Sequence, residues 1–238
     1  MFQICRKKPF AVAILLTAVL MGSISAQTVA SNIQSMHGWQ SCSVCAGARG
    51  AGAPASHYLQ QGVSSPSLSG HSARAHLSAT KPFAGALWWK QLGAKDARAH
   101  FIYNLFFYLK TPRASQALEF DVNQSNGRKK FIFGTQCNIA AGGVWDVYDP
   151  AGHAWRSTGV HCGISAFKWH HLTWEVFRDS SRVHYVSVTL DGAKHFINRS
   201  YNARSSSVHE INVAFQMDAT RSHPAYDTWL DSMSLKSW

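Results

Sequence analysis

HLTWEVF, residues 171–177, and INVAFQMD, residues 211–218, decide the class of fold. In the first, Leu172, Trp174 and Val176 share one face while His171, Thr173 and Glu175 share the other. In the second, Val213, Phe215 and Met217 oppose Asn212, Ala214, Gln216 and Asp218. A period of two with one apolar side belongs to strands whose sheet covers a core on one face only. The pattern recurs outward in both directions. AGALWWKQL, HFIYNLFFYLK, QALEFDVNQ, KKFIFGTQC, GGVWDVYD, RVHYVSVTLDG, KHFINRSY and TWLDSMSLKSW are each short, β-branched or aromatic, and bounded by turn-forming residues. Helical periodicity is nearly absent, and about ten strands at this spacing predict an all-β sandwich or jelly roll.

The two ends and the totals set the context. Residues 1–26 place Arg6, Lys7 and Lys8 ahead of an apolar run from Phe10 to Met21, followed by Ser23, Ser25 and Ala26. This is the layout of a secretory signal peptide cut near Ala26, and the run is shorter than the roughly 20 residues a bilayer span needs. The product is therefore expected to be secreted, extracellular or periplasmic, with no membrane anchor left. About 210 residues remain, enough for one well-buried domain. Residues 27–80 form a Ser/Gly/Ala-rich segment expected to lie partly in the sandwich, and 81–238 its main body. Cys42, Cys45, Cys137 and Cys162 make an even set in an exported chain, which predicts disulfides. Cys137–Cys162 is the natural long pairing, and Cys42–Cys45 closes a small loop. The Cys-x-x-Cys spacing also suits a redox or zinc site, but it sits in Gly/Ala-rich coil without a second ligand pair at compact spacing.

The formal charge is +11, or +8 once the three basic residues of the leader are subtracted (11 − 3). Every acidic residue lies at or beyond Asp96. Such a balance suits nucleic acid, an anionic glycan or an acidic surface, or serves solubility alone. No basic run is longer than Arg128-Lys129-Lys130, so no dedicated nucleic-acid module is expected.

Three stretches resemble one superfamily. KWHHLTWEVFRDSSRVHYVSVTLDGAKHFIN resembles the paired strands and Asp-Gly hairpin, here Asp191-Gly192, of laminin-G-like and other concanavalin A-like jelly rolls. TWLDSMSLKSW resembles the closing strand of laminarinases and lichenases, and LEFDVNQ their central strand and, more loosely, the metal-carrying strand of legume lectins. The likeness spans roughly residues 85 to 238. It implies a concanavalin A-like β-sandwich of two antiparallel sheets and says little about activity.

The departures limit what carries over. The glucanase motif Glu-x-Asp-x-Glu sets three acids on one strand face, the first a nucleophile and the last a general acid/base. Glu119 and Asp121 match its first two positions, but the third is Asn123, and an amide cannot deliver the proton. In the lectin reading, Lys129 and Lys130 stand where further ligands are wanted, and a calcium ion needs about six to eight oxygens. No cofactor or paired metal site is expected; a single structural calcium elsewhere stays open.

Sugar binding is what the resemblance implies for one sheet face. Strand alternation groups Glu119, Asp121 and Asn123 on one strand, His171, Thr173 and Glu175 on a second, and Asn212, Gln216 and Asp218 on a third. If these strands are neighbours, acids, amides and imidazole line one hollow, with Trp88 or Trp89, Trp145 and Trp155 as platforms for sugar faces. One of Trp88 and Trp89 must point inward. Equally, Glu119 and Asp121 could be locked by Arg or Lys from adjacent strands. Catalytic candidates are Glu119, Asp121 and Glu175. The leading expectation is a polysaccharide-binding sandwich without standard catalytic acids. The alternatives are a glycoside hydrolase or polysaccharide lyase with an unorthodox acid, and an adhesion protein of the envelope.

Overall fold

A computed structural model of the chain describes residues 27–46 and 53–238 and makes most of them strand. The expected leader, residues 1–26, lies outside the described residues. Along the chain the strands are β1 (Thr28–Ala30), β2 (Gln40–Cys42), β3 (Ala55–Val63), β4 (Ser72–Ala79), β5 (Gly85–Gln91), β6 (His100–Leu109), β7 (Ser115–Asn126), β8 (Lys129–Phe133) and β9 (Thr135–Asn138). They continue as β10 (Val144–Asp149), β11 (Ala154–His161), β12 (Lys168–Arg178), β13 (Arg182–Leu190), β14 (Ala193–Asn202), β15 (Arg204–Ser205), β16 (His209–Ala219) and β17 (Tyr226–Ser237). The helical pieces among the described residues are single 3-10 turns, so no helix there is long and apolar enough to cross a membrane.

Every strand pairing is antiparallel. An eight-stranded sheet has the order β14-β13-β12-β6-β17-β4-β3, with β1 added alongside β17. A nine-stranded sheet has the order β11-β10-β9-β7-β16-β5-β2, with β8 pairing β7 and β15 pairing β8. The two-sheet sandwich read from the alternation is what the chain forms, and the Ser/Gly/Ala-rich stretch supplies β1 to β4.

The core lies between the sheets and is strongly aromatic. Phe120 of β7 packs on Phe107 of β6 with ring centroids 5.1 Å apart, and Trp145 of β10 meets Trp174 of β12 edge-on at 5.4 Å. Rings of this size each remove a large apolar area from water, and tilted or edge-to-face pairs add about 0.5–1.5 kcal/mol beyond burial. Because apolar residues take alternate positions on β7 and β16, their remaining side chains must face away from the core. That parity builds the site described next.

Both disulfides are present, Cys42–Cys45 and Cys137–Cys162, with Cα separations of 5.7 and 5.8 Å. The Asp191-Gly192 turn joins β13 to β14 with φ of 51° and 87°, two successive positive values that match the hairpin twist. Asp191 also accepts from the backbone N–H of His171 at 2.9 Å, from Lys168 Nζ at 2.7 Å and from His170 Nδ1 at 2.9 Å.

A candidate glycan groove on the nine-stranded sheet

Antiparallel register converts the outward positions into rows. One row reads Leu87–Gln216–Glu119–Gln136–Asp146 across β5, β16, β7, β9 and β10. The next reads Trp89–Ala214–Asp121, and a third Gln91–Asn212–Asn123–Ile132. Ala214 is the smallest side chain of the middle row, so a trough opens between Asp121 and Trp89. A groove of about 830 Å³ runs over the second and third rows and reaches the first at Leu87 and Glu119, bounded at one end by Trp89 and at the other by Tyr148 and Trp155. The strands carrying Trp89 and Trp155 are five steps apart in the sheet, about 24 Å at about 4.8 Å per step. That span suits an oligosaccharide better than a single sugar.

Gly134 makes room for the aromatic end. A Cβ there would stand 2.8 Å from Cβ of Tyr148 and 3.3 Å from Cη2 of Trp155, so any side chain would push both rings away. Their centroids lie 5.2 Å apart, and Tyr148 and Trp155 are cross-strand partners on β10 and β11.

The floor is an acid–amide network. Gln216 Nε2 donates to Glu119 Oε1 at 2.6 Å and to the two oxygens of Asp218 at 3.1 and 3.2 Å. Gln136 Nε2 donates to Asp146 Oδ2 at 2.9 Å, and Asn138 Nδ2 to the same oxygen at 3.1 Å. The backbone N–H of Thr135 donates to Asp121 Oδ1 at 3.0 Å, and Asn123 Nδ2 to Asn212 Oδ1 at 3.0 Å. No lysine or arginine pairs with Glu119, Asp121 or Asp218 among the described residues. Their charge is suppressed in another way. Burial, then the nearby Asp218 and Asp121, push Glu119 well above the usual carboxylate range. Burial pushes Asp121 to about 7, against the opposing pull of the Thr135 N–H, and Asp218 to about 6. Gln216 bridges Glu119 and Asp218, and of the three carboxyls Glu119 is held furthest toward its protonated form.

The placement of the sequence-derived candidates is mixed. Glu119, Asp121, Asn123, Gln216 and Asp218 lie on the outer face of the nine-stranded sheet, as do Asn212, Trp89 and Trp155. Trp88 and Trp145 do not. They are 1% and 0% exposed, because Trp88 stacks inward on Phe215 and Trp145 meets Trp174 edge-on in the core. His171, Thr173 and Glu175 face solvent on the opposite side of the molecule, since β12 belongs to the eight-stranded sheet. There His171 stacks on Phe106 at 4.3 Å and Glu175 is bonded by Lys194 and Ser187, each at 3.0 Å. Glu175 therefore cannot serve the groove. Buried His170 is held by Asp191 and by the backbone of Ser165.

Gln136, Asp146, Tyr148 and Arg204 are groove or floor residues that the alternation reading passed over. For two of them the signal was present. In GGVWDVYD the apolar Trp145 and Val147 claim the core, which leaves Asp146 and Tyr148 outward. Arg204 sits on a two-residue strand that carries no periodicity to read. Among the described residues no group of three or more His, Cys, Asp or Glu side chains is arranged to hold a metal ion.

No protein-family model matches the chain, and no curated protein is detectably similar to it in sequence. Solved structures do match. Cip1, a cellulose induced protein, aligns with a TM-score of 0.52 at 12% identity over 87% of this chain and 96% of its own. An endo-beta-1,4-glucuronan lyase from the fungus Trichoderma reesei aligns at 0.50 and 11% identity over 86% and 93%. A carbohydrate esterase from Shiga toxin-encoding bacteriophage phi24B aligns at 0.50 and 15% identity over 89% and 99%. At these identities what is shared is the fold, and the chain is a concanavalin A-like β-sandwich.

Proposed function

We propose that this protein is a secreted polysaccharide-binding sandwich whose ligand lies along the groove of the nine-stranded sheet. The observation that carries the reading is the pairing of an amide- and acid-lined trough with aromatic side chains at both ends, Trp89 and Trp155. Sugar hydroxyls are satisfied by amides and carboxyl groups, which both donate and accept when protonated, and the apolar faces of sugar rings lie on indoles. Two proteins of the same fold are named for chemistry on carbohydrate, a glucuronan lyase and a carbohydrate esterase, which agrees with the reading. Migration in native gels cast with soluble polysaccharides tests it. At least one polymer is expected to retard the protein, and Trp89→Ala or Trp155→Ala to weaken that binding about tenfold or more, ~1.4 kcal/mol. Unchanged migration across a broad panel would overturn it.

A second reading, cleavage of the bound chain, is favoured by one feature. Glu119 lies at the floor of the groove, and burial with Asp218 and Asp121 beside it raises its pKa well above the usual carboxylate range, the direction a general acid needs. Asn123, which donates to Asn212, occupies the third position of the glucanase pattern and has no acidic proton to transfer. Assays for new reducing ends and for unsaturated sugar decide this reading. Product that persists in Glu119→Gln would place the chemistry elsewhere.

A further inference from the structure

The groove carries a pair of cations that the fold itself leaves uncompensated. Lys130 of β8 and Arg204 of β15 are direct cross-strand partners, so their side chains leave the sheet on the same side, and both line the groove. Neither forms an ion pair with an acidic side chain among the described residues. Like charges set directly opposite each other on antiparallel strands destabilise the pairing. The pairing is nevertheless fixed from both flanks. The N–H of Ala203 donates to Ser181 O at 2.7 Å, and the N–H of Ser206 to Arg128 O at 3.1 Å. Ala203 is itself buried, 8% exposed, which turns its neighbour Arg204 outward. Glu210, the acid on the near side of the groove, accepts instead from Gln91 Nε2 at 2.8 Å.

We propose that the groove selects an anionic polysaccharide, with Lys130 and Arg204 together receiving the acidic group of one sugar unit. This rests on the groove being a glycan site. A guanidinium offers two parallel donors to a pair of anionic oxygens, and the adjacent ammonium adds a point charge. The floor does not oppose an anion as three ordinary carboxylates would. Burial raises Glu119 well above the usual carboxylate range and Asp121 to about 7, so both lean toward the neutral form. The basic edge thus acts across a floor of reduced charge.

The test compares hyaluronate, alginate and polygalacturonate with their carboxyl-reduced forms, and dextran sulfate with dextran, by calorimetry at fixed ionic strength. At least one anionic polymer is expected to bind tenfold or more tightly than its neutral counterpart. Binding of a uronate identifies a carboxylate as the recognised group; binding of dextran sulfate alone identifies a sulfate. The double variant Lys130→Gln/Arg204→Gln is expected to lose that preference. Lys236→Gln/Arg182→Gln, which removes the same charge from the eight-stranded sheet, is expected to keep the preference. Equal affinity for charged and neutral polymers overturns the inference but leaves the glycan reading intact. So does a preference lost equally in both double variants, which would mark binding by net charge alone. If no polymer binds in either form, the glycan reading falls with it.

Discussion

Asp121 concentrates the residue-level chemistry. It accepts from the Thr135 N–H, faces Ala214 across the strand pair, and sits buried in the field of Asp218. Its folded-state pKa of about 7, and that of about 6 for Asp218, are both raised. The folded protein therefore binds these protons more tightly than the unfolded chain does. Their contribution to stability is complete below the unfolded value of about 4 and is lost as pH rises through about 6 to 7. Asp121→Asn keeps the acceptor for Thr135 and removes the titration. It should gain on the wild type by about 1–3 kcal/mol between pH 4 and pH 8, read by urea unfolding at each pH. A difference that does not change with pH would refute the account. At this scale the sequence was half legible. Parity placed Glu119, Asp121, Asn123 and Gln216 together, since each lies one step from a large apolar residue. For Trp88 and Trp89 parity gives alternation but not phase, and phase is set by Phe215 on a strand far along the chain.

At the scale of elements, β7 and β16 matter most because they sit side by side at the middle of the nine-stranded sheet, where both edges of each strand are paired. The long strands were readable because aromatic and β-branched residues recur at every second position. β1, β2 and β15 are two or three residues long, too short for any period. Membership of a sheet was also hidden. β12 shows the same alternation as β16, yet it pairs with β6 and β13 and turns His171 and Glu175 to the far side. Nothing in a period of two says which of two layers a strand joins. The hairpin between β13 and β14 was legible as Asp-Gly, and its Gly192 holds φ at 87°. A side chain there has open space around it but must adopt the left-handed region. Gly192→Ala should therefore cost about 1–2 kcal/mol through the backbone alone, measured by chemical denaturation. A neutral result would mean that the turn relaxes.

For the molecule as a whole, the groove depends on an edge that the core holds only in part. β10 and β11 carry Tyr148 and Trp155 at the end of the nine-stranded sheet, and Cys137–Cys162 ties β9 to the residue following β11. Replacing both cysteines by serine should lower stability by about 2–4 kcal/mol and weaken glycan affinity more than Trp88→Phe does, because it loosens the strand bearing a platform. Melting curves and binding titrations on the same variants check this, and full affinity in the disulfide-free protein would count against it. The split between neighbouring Trp88 and Trp89 has an optical consequence. One indole is sealed among hydrocarbon and the other is half open to water within the groove. Their emission should differ in colour and in reach to a dissolved quencher, so a ligand laid along the trough would dim or shift only the second and report its own arrival without a label.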